Sequence, residues 1–184
     1  MSEFIGVFLE NLFPENILLV YFMGVLLSIA ETRGVRTSLY KGVKFAFALF
    51  FAAFLGFIIA DAIPLEFEFF HPWIFLLTSL AAVFILQLSG ELKGEFYGVP
   101  RLLLPLVLFV GTQYILVGRG LSFEMMVVSA LANSLGFYLG FILIGTIKEQ
   151  MIISEADDIF KYSPVLLISL GVLSMAVMGF AFLY

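Results

Sequence analysis

Few side chains in this 184-residue sequence could take part in chemistry. The chain has no cysteine and one histidine, His71, so it offers no thiolate ligand and no pair of imidazoles for a transition metal. It also lacks a Ser/His/Asp constellation, a phosphate-binding glycine loop and a basic nucleic-acid patch. We therefore expect no catalytic residue and no metal site formed by this chain alone, and no nucleic-acid partner.

Acidic residues at the ends of apolar runs are the first candidates for an ion pathway, because ionisable groups inside a membrane are expensive and usually functional. Glu15 and Glu31 flank the first long run and rank ahead of the others. The other acidic residues near run ends are Glu10, Asp61, Glu124 and Glu149. Solvation by water or lipid headgroups is the simpler interpretation of all six.

Polar residues inside the apolar runs form a second group of candidates. They are Asn16, Gln87, Gln113, Asn133 and Ser134. Membrane bundles commonly use such groups for hydrogen bonds between helices, and we expect that role here. Gln113 stands out because it lies two residues after Gly111. His71 lies beside Pro72 and Trp73 and is expected to anchor the chain at the outer interface.

The composition predicts that membrane-spanning helices position these residues. Hydrophobic residues make up 62% of the chain and charged residues 12%, and the mean hydropathy is +1.14, whereas soluble domains contain roughly 45–50% apolar and about 25% charged residues. Runs of about 17–25 apolar residues can cross a bilayer. Six runs fit: 16–31, 44–62, 72–88, 100–118, 126–147 and 164–183. We predict one all-α, polytopic six-helix domain over residues 1–184.

A shorter apolar stretch at 4–13 precedes Pro14, and two structures fit it. It could be a half-helix or interfacial segment, followed by a helix that begins near 11–14. Alternatively, it could belong to one long helix with a proline kink. The sequence does not decide between them.

The distribution of Lys and Arg predicts the orientation. Eight of the nine lie in the segments after helices 1, 3 and 5, and Arg119 alone lies on the opposite side. The positive-inside rule makes the basic side cytoplasmic. Both termini are then outside the cell, in a prokaryotic cytoplasmic membrane.

Two short matches suggest an internal repeat. "YFMG" at 21–24 corresponds to "LFVG" at 108–111, and "AAFLGF" at 52–57 to "GFYLGF" at 136–141. Three helices separate the halves, about 4–70 and 98–184, so the halves would be inverted. Inverted repeats of this kind often place functional positions on interrupted helices near the midplane. Helices 1 and 4, which carry Gly24 and Gly111, are the candidates for interruption, while close helix packing is the alternative role of these glycines.

Several segments carry a resemblance to a known family. They are "PENILLVYFMG", "LPLVLFVG", "GFYLGFILIGTIKEQ" and "LLISLGVLSMAVMGF". They resemble the Rnf/Nqr integral-membrane subunits, and the N-out topology and the C-terminal segment fit the RnfA/NqrE-like branch. The resemblance implies a non-catalytic membrane subunit of a redox-driven Na⁺ or H⁺ pump. It also implies an inverted homologous subunit, together with further subunits that carry flavin and iron–sulfur clusters.

The resemblance also implies a site that this chain has lost. Members of the family place one cysteine on helix 1 and one on helix 4 to hold an iron–sulfur cluster at mid-membrane. The family pattern puts these cysteines at Leu26 and Gly111 of this chain, so we expect no cofactor bound by this chain alone. A second class of protein also fits length and hydropathy, namely a six-helix small-molecule uptake module like the substrate-binding subunits of vitamin transporters.

Overall fold

The computed structural model describes residues 2–90, 92, 94–153 and 163–179. Its helices are α1 (Ser2–Leu12), α2 (Val25–Glu31), α3 (Val35–Asp61), α4 (His71–Leu88), α5 (Leu104–Gly118), α6 (Phe123–Ile153) and α7 (Ser163–Gly179). Short 3₁₀ segments, Leu65–Phe70 and Arg101–Leu103, precede α4 and α5. Between α4 and α5, strands β1 (Glu95–Phe96) and β2 (Val99–Pro100) form a small antiparallel hairpin.

The helices confirm a polytopic, all-α membrane protein. Four helical segments of the described chain are long and apolar enough to cross a bilayer: Val35–Asp61, Glu68–Leu88, Arg101–Gly118 and Phe123–Ile153. The apolar helix α7 is shorter, and residues 180–183 of the sixth predicted run lie outside the described residues. Large apolar side chains are exposed on many helices, as expected for surfaces that face lipid rather than water.

Helices α3 and α6 are longer than the apolar runs that predicted them, 44–62 and 126–147. α3 begins nine residues before position 44, and α6 extends from Phe123 to Ile153 rather than over 126–147. The segment predicted as a basic loop after helix 1 is therefore largely the first turns of α3, including Arg36, Lys41 and Lys44. Arg and Lys are good helix formers, so the helix continues past the point where its hydropathy falls.

The first predicted helix, over 16–31, is interrupted, in agreement with its place among the two candidates for interruption. α1 ends at Leu12, the backbone over 13–24 forms turns, and α2 begins only at Val25. The half-helix interpretation of 4–13 is correct, and the long kinked helix is not. Pro14 interrupts the first helix, and Gly24, with φ of +82°, has a left-handed conformation that favours glycine.

Helix α5 carries no such interruption. It is continuous from Leu104 to Gly118, and Pro105 lies in its first turn, where the missing N–H costs no hydrogen bond. Of the two helices predicted as candidates for interruption, only the first is broken in the described structure.

The core forms where α3, α5 and α6 surround the broken first helix. The buried rings of Phe45 and Phe141 have centroids 5.7 Å apart, and those of Phe137 and Phe141 lie 5.6 Å apart. α3 and α6 approach closely at glycines. A methyl group at Gly42 would come within 2.9 Å of the Tyr138 ring, and one at Gly145 would collide with the Ser38 hydroxyl. Small residues thus let these backbones approach.

Candidate functional site

The non-helical stretch over 13–24, here called the unwound segment, is buried inside the bundle at residues 16–19, whereas Phe13, Tyr21 and Phe22 are exposed. Ile17 and Leu18 have no exposed surface, and Leu19 is only 4% exposed. Non-helical backbone at membrane depth is tolerated only where protein or a polar cavity surrounds it, because lipid cannot hydrogen-bond to N–H and C=O groups. This requirement explains why the segment is packed against α5 and α6.

Asn16 organises the backbone of the unwound segment. Its side-chain Oδ1 accepts hydrogen bonds from the backbone N–H groups of Leu18 and Leu19, both at 3.0 Å. Its Nδ2 donates to the carbonyl of Leu12 at 2.9 Å. The side chain therefore serves the end of α1 and the turn that follows it. Asn16 was predicted to bond between helices, but its hydrogen bonds are local.

Glycines on α6 make room for the unwound segment. A methyl group at Gly136 would lie 2.7 Å from Asn16 Nδ2, and one at Gly140 would lie 2.6 Å from the Leu18 side chain. The spacing of four residues places both glycines on one face of α6. The glycine motif in "GFYLGF" is thus a packing surface for the unwound segment.

The two repeat-related glycines meet at the end of this segment. A methyl group at Gly24 would lie 3.1 Å from Phe137 and 3.2 Å from Leu108, and one at Gly111 would collide with the sulfur of Met23. Met23 and Gly24 therefore pack directly against α5 around Gly111. The two glycines differ in conformation, because Gly24 precedes a helix and Gly111 lies within one.

A group of polar side chains lies where the unwound segment begins, and we call it the Arg119 cluster. It comprises Asn11, Glu15, Arg119, Ser129 and Asn133. Arg119 forms an ion pair with Glu15, and its Nη1 donates to Asn11 Oδ1 at 2.7 Å. The same oxygen accepts from Asn133 Nδ2 at 3.2 Å, while Asn11 Nδ2 lies 3.4 Å from the Ser129 hydroxyl. Asn133 Oδ1 is buried and has no hydrogen-bond partner within the described structure.

A second group lies where α2 ends, and we call it the Glu31 cluster. The Glu31 side chain is fully buried. Lys41 Nζ lies 2.5 Å from its Oε2, and Arg101 Nη1 lies 3.4 Å from its Oε1. The two cations are 22% and 25% exposed. Glu31 is therefore already neutralised by two cations, from α3 and from the segment before α5.

Two adjacent residues of α6 bind the turn between α2 and α3. Lys148 Nζ donates to the carbonyls of Ile29 and Thr32 at 2.5 and 2.8 Å, where the C-terminal end of α2 leaves carbonyls unpaired. Glu149 Oε2 accepts from the N–H of Val35 at 2.7 Å, at the start of α3. The helix dipole favours a positive charge at the C-terminal end of α2, where Lys148 lies, and a negative charge at the N-terminal end of α3, where Glu149 lies.

Gln113 joins three helices in the half of α5 beyond Gly111. It is fully buried, accepts from the Thr78 hydroxyl at 2.7 Å and donates to the Ser79 hydroxyl at 2.9 Å. A methyl group at Gly56 would collide with its Oε1. Gln113 thus connects α5 to α4 while it occupies space left open on α3.

We expect Gly56→Ala to destabilise the protein through Gln113 rather than through helix propensity. The added methyl group must displace the amide from Thr78 and Ser79, and overpacking of this kind costs about 1–3 kcal/mol. In the double variant Gly56→Ala/Gln113→Ala the collision is absent. In thermal unfolding in detergent, Gly56→Ala should therefore lower the stability of the Gln113→Ala variant by less than it lowers the stability of the parent. Equal losses in both backgrounds would contradict this coupling.

The remaining predicted residues do not join these groups. Gln87 is exposed at the surface, so the prediction that it bonds between helices is wrong. Ser134 donates to Ala130 on its own helix, and His71 stacks on Phe75 with centroids 5.8 Å apart. Glu10, Asp61 and Glu124 are exposed. Among the described residues, no group of three or more His, Asp or Glu side chains could hold a metal ion.

Comparison with known proteins decides the family. The family described as Rnf-Nqr subunit, membrane protein, matches residues 4–184. Three similar curated proteins are each named as a subunit of an ion-translocating oxidoreductase complex. The protein from Azoarcus sp. (strain BH72) is 26% identical, that from Ectopseudomonas mendocina (strain ymp) 25%, and that from Erwinia tasmaniensis 22%. Each comparison covers 98% of this chain and 97% of the relative.

The chain belongs to the Rnf-Nqr family of membrane subunits. The resemblance inferred from the sequence is thereby confirmed. Family membership over nearly the whole chain favours the redox-complex class over the vitamin-uptake class.

Leu26 and Gly111 occupy the positions that the resemblance assigns to the family cysteines. Leu26 lies in the first turn of α2 and is 63% exposed, whereas Gly111 is half-buried against Met23. A leucine side chain and a hydrogen atom offer no donor to iron. The residues present at these positions therefore do not fit an iron–sulfur cluster.

Proposed function

We propose that this chain is an integral-membrane subunit of a hetero-oligomeric, ion-translocating oxidoreductase complex. The observation that carries the proposal is the family match over residues 4–184, together with relatives named as subunits of such a complex. The chain contributes no catalytic residue. Flavin and iron–sulfur clusters belong to its partner subunits, one of which is an inverted homologue of this chain.

The broken first helix is the element that serves ion movement in this proposal. Interrupted helices near the midplane are where many transporters bind their ions, since unwound backbone offers carbonyl oxygens. The unwound segment runs from the Arg119 cluster to the start of α2, and α2 ends at the Glu31 cluster. Polar groups thus lie at both ends of an apolar stretch that is buried at residues 16–19 and at Leu27, which is the arrangement expected of a path that opens only in the assembled complex.

The proposed location is a prokaryotic cytoplasmic membrane, with both termini outside the cell. Two features support it. The Glu31 cluster and Lys148 gather cations at one end of the bundle, together with Arg36 and Lys44. Arg119 is the single Lys or Arg at the other end among the described residues.

Affinity purification of the tagged, full-length chain from native membranes in a mild detergent tests this function. We expect flavin- and iron–sulfur-binding subunits to co-purify with it, along with a homologous six-helix chain. Recovery of the chain without any redox-cofactor-binding partner would overturn the proposal.

Iron analysis provides an independent prediction. Because Leu26 and Gly111 stand at the cysteine positions and the chain has no cysteine, the separated subunit should be colourless and contain less than stoichiometric iron. Metal quantification by mass spectrometry, with the intact complex as the positive control, measures this. One cluster equivalent per separated chain would contradict it.

A further inference from the structure

Arg119 follows α5 directly, at the end of the bundle opposite the Glu31 cluster, and its side chain reaches across to α1. The guanidinium pairs with the Glu15 carboxylate, and Nη1 donates to Asn11 Oδ1 at 2.7 Å. The Arg119 side chain is 21% exposed, whereas Asn11 is fully buried. Arg119 therefore covers a polar interior and joins parts of the chain that are far apart in the sequence.

Behind Arg119 lies a buried acceptor without a donor. Asn133 on α6 is 1% exposed, and its Oδ1 has no hydrogen-bond partner within the described structure. Turning the amide over does not supply one. Asn11 Nδ2 donates to the Val7 carbonyl at 2.7 Å, which fixes Asn11 Oδ1 as the acceptor for Asn133 Nδ2 at 3.2 Å. The reversed Asn133 amide would place two oxygens against each other, so the unpaired atom remains Oδ1.

The unpaired oxygen belongs to the face of α6 that borders the unwound segment. Ser129 and Asn133 precede Gly136 by two turns and by one turn of helix, so the three residues share that face. The Ser129 and Asn133 side chains lie within 3.4 and 3.2 Å of the Asn11 amide, and Gly136 leaves the space that Asn16 occupies. A line of buried contacts thus runs from the Arg119 cluster to the start of the unwound segment.

We propose that Arg119 is the closed gate of a water-filled entrance to the unwound segment, and that Asn133 Oδ1 binds water when this gate opens. An acceptor buried without a donor is costly, and a water molecule that reaches it removes the cost. The closed arrangement therefore needs compensation, which the charged hydrogen bonds of Arg119 provide. The inference rests on the proposed function, because the entrance would serve the ion path described there.

Thiol labelling of a single introduced cysteine tests the gate, because the parent chain has no cysteine. Ser129→Cys changes one atom type and places the thiol behind Arg119, at a residue with no exposed surface. The matched control is Ser134→Cys, also on α6, which is 5% exposed and whose hydroxyl donates to Ala130 on its own helix. The full-length chain is reconstituted in phosphatidylcholine vesicles, with a charged, membrane-impermeant methanethiosulfonate on both sides. Mass spectrometry of the intact chain measures the labelling rate.

Both thiols should react slowly when Arg119 is present. Arg119→Gln should raise the labelling rate of Ser129→Cys about tenfold or more, because it removes a hydrogen bond to a charged group. The same change should leave the rate of Ser134→Cys unaltered. Arg33→Gln, which removes an exposed cation near the Glu31 cluster, should alter neither rate.

Three results would overturn the proposal. Equal labelling of Ser129→Cys with and without Arg119→Gln would show that Arg119 closes no entrance. An equal rise at Ser134→Cys would indicate general loosening of the fold. Asn133→Leu should lower the rate for Ser129→Cys in the Arg119→Gln background, and an unchanged rate would show that Asn133 holds no water there. Co-purification of redox subunits does not depend on these rates, so failure of the gate and failure of the proposed function are distinguishable.

Discussion

Replacing Asn16 with leucine is expected to lower the free energy of unfolding by about 2–6 kcal/mol, because two buried N–H groups, those of Leu18 and Leu19, lose their acceptor at about 1–3 kcal/mol each. Lipid cannot replace this acceptor, and the surrounding protein is closely packed. The measurement is thermal or denaturant unfolding of the full-length protein in detergent, followed by circular dichroism.

Two control variants separate this effect from the general effect of removing an amide. Gln87→Leu removes an exposed amide from an apolar helix and should change stability by less than about 0.5 kcal/mol. Asn16→Ser keeps a shorter side-chain acceptor for the following N–H groups. Its free energy of unfolding should therefore lie between those of the parent and Asn16→Leu. Equal stability of Asn16→Leu and Gln87→Leu would show that Asn16 does not hold the unwound segment.

The positions of the long helices follow from the sequence because bilayer thickness sets the length of an apolar run. The runs at 72–88 and 100–118 agree with α4 and α5 to within a few residues. Hydropathy does not locate helix ends beyond the apolar region, and for that reason α3 and α6 extend further than predicted.

The break in the first helix could not be located from the sequence. Residues 16–31 are apolar enough to cross a membrane as one helix, and Pro14 indicates only where α1 stops. What fixes the non-helical backbone is tertiary packing. Gly136 and Gly140 provide the space that Asn16 and Leu18 occupy, and they lie about 120 residues away in the chain.

The sequence predicted only some members of the candidate site, and it did not predict their pairings. Glu15 and Glu31 were identified by their charge at the ends of an apolar run. Arg119, which pairs with Glu15, and Arg101, the more distant partner of Glu31, come from the other half of the chain, so no local pattern connects them. Gln87 was misplaced because every face of a lipid-embedded helix is apolar, and periodicity then does not indicate which way a polar residue points.

Removing the ammonium of Lys41 is the second change with a large expected effect. Glu31 is fully buried, and Lys41 is its nearest partner, at 2.5 Å. Breaking a buried ion pair on one side costs about 3–5 kcal/mol, because the remaining charge stays buried without compensation. Because Arg101 remains 3.4 Å from Glu31, Lys41→Met should lower the free energy of unfolding by about 3 kcal/mol, the low end of this range. The exposed Arg33 provides the control, and Arg33→Met should cost less than about 0.5 kcal/mol.

The double variant Lys41→Met/Glu31→Gln tests the physical cause of that loss. If the cost comes from a stranded carboxylate, neutralising Glu31 should restore stability, and the double variant should be more stable than Lys41→Met alone. If the cost came instead from packing of the Lys41 side chain, the losses of the two single variants would add. Unfolding of all four proteins under one set of detergent conditions gives the coupling energy. Additive losses would mean that charge balance at Glu31 does not hold the end of α2 against α3.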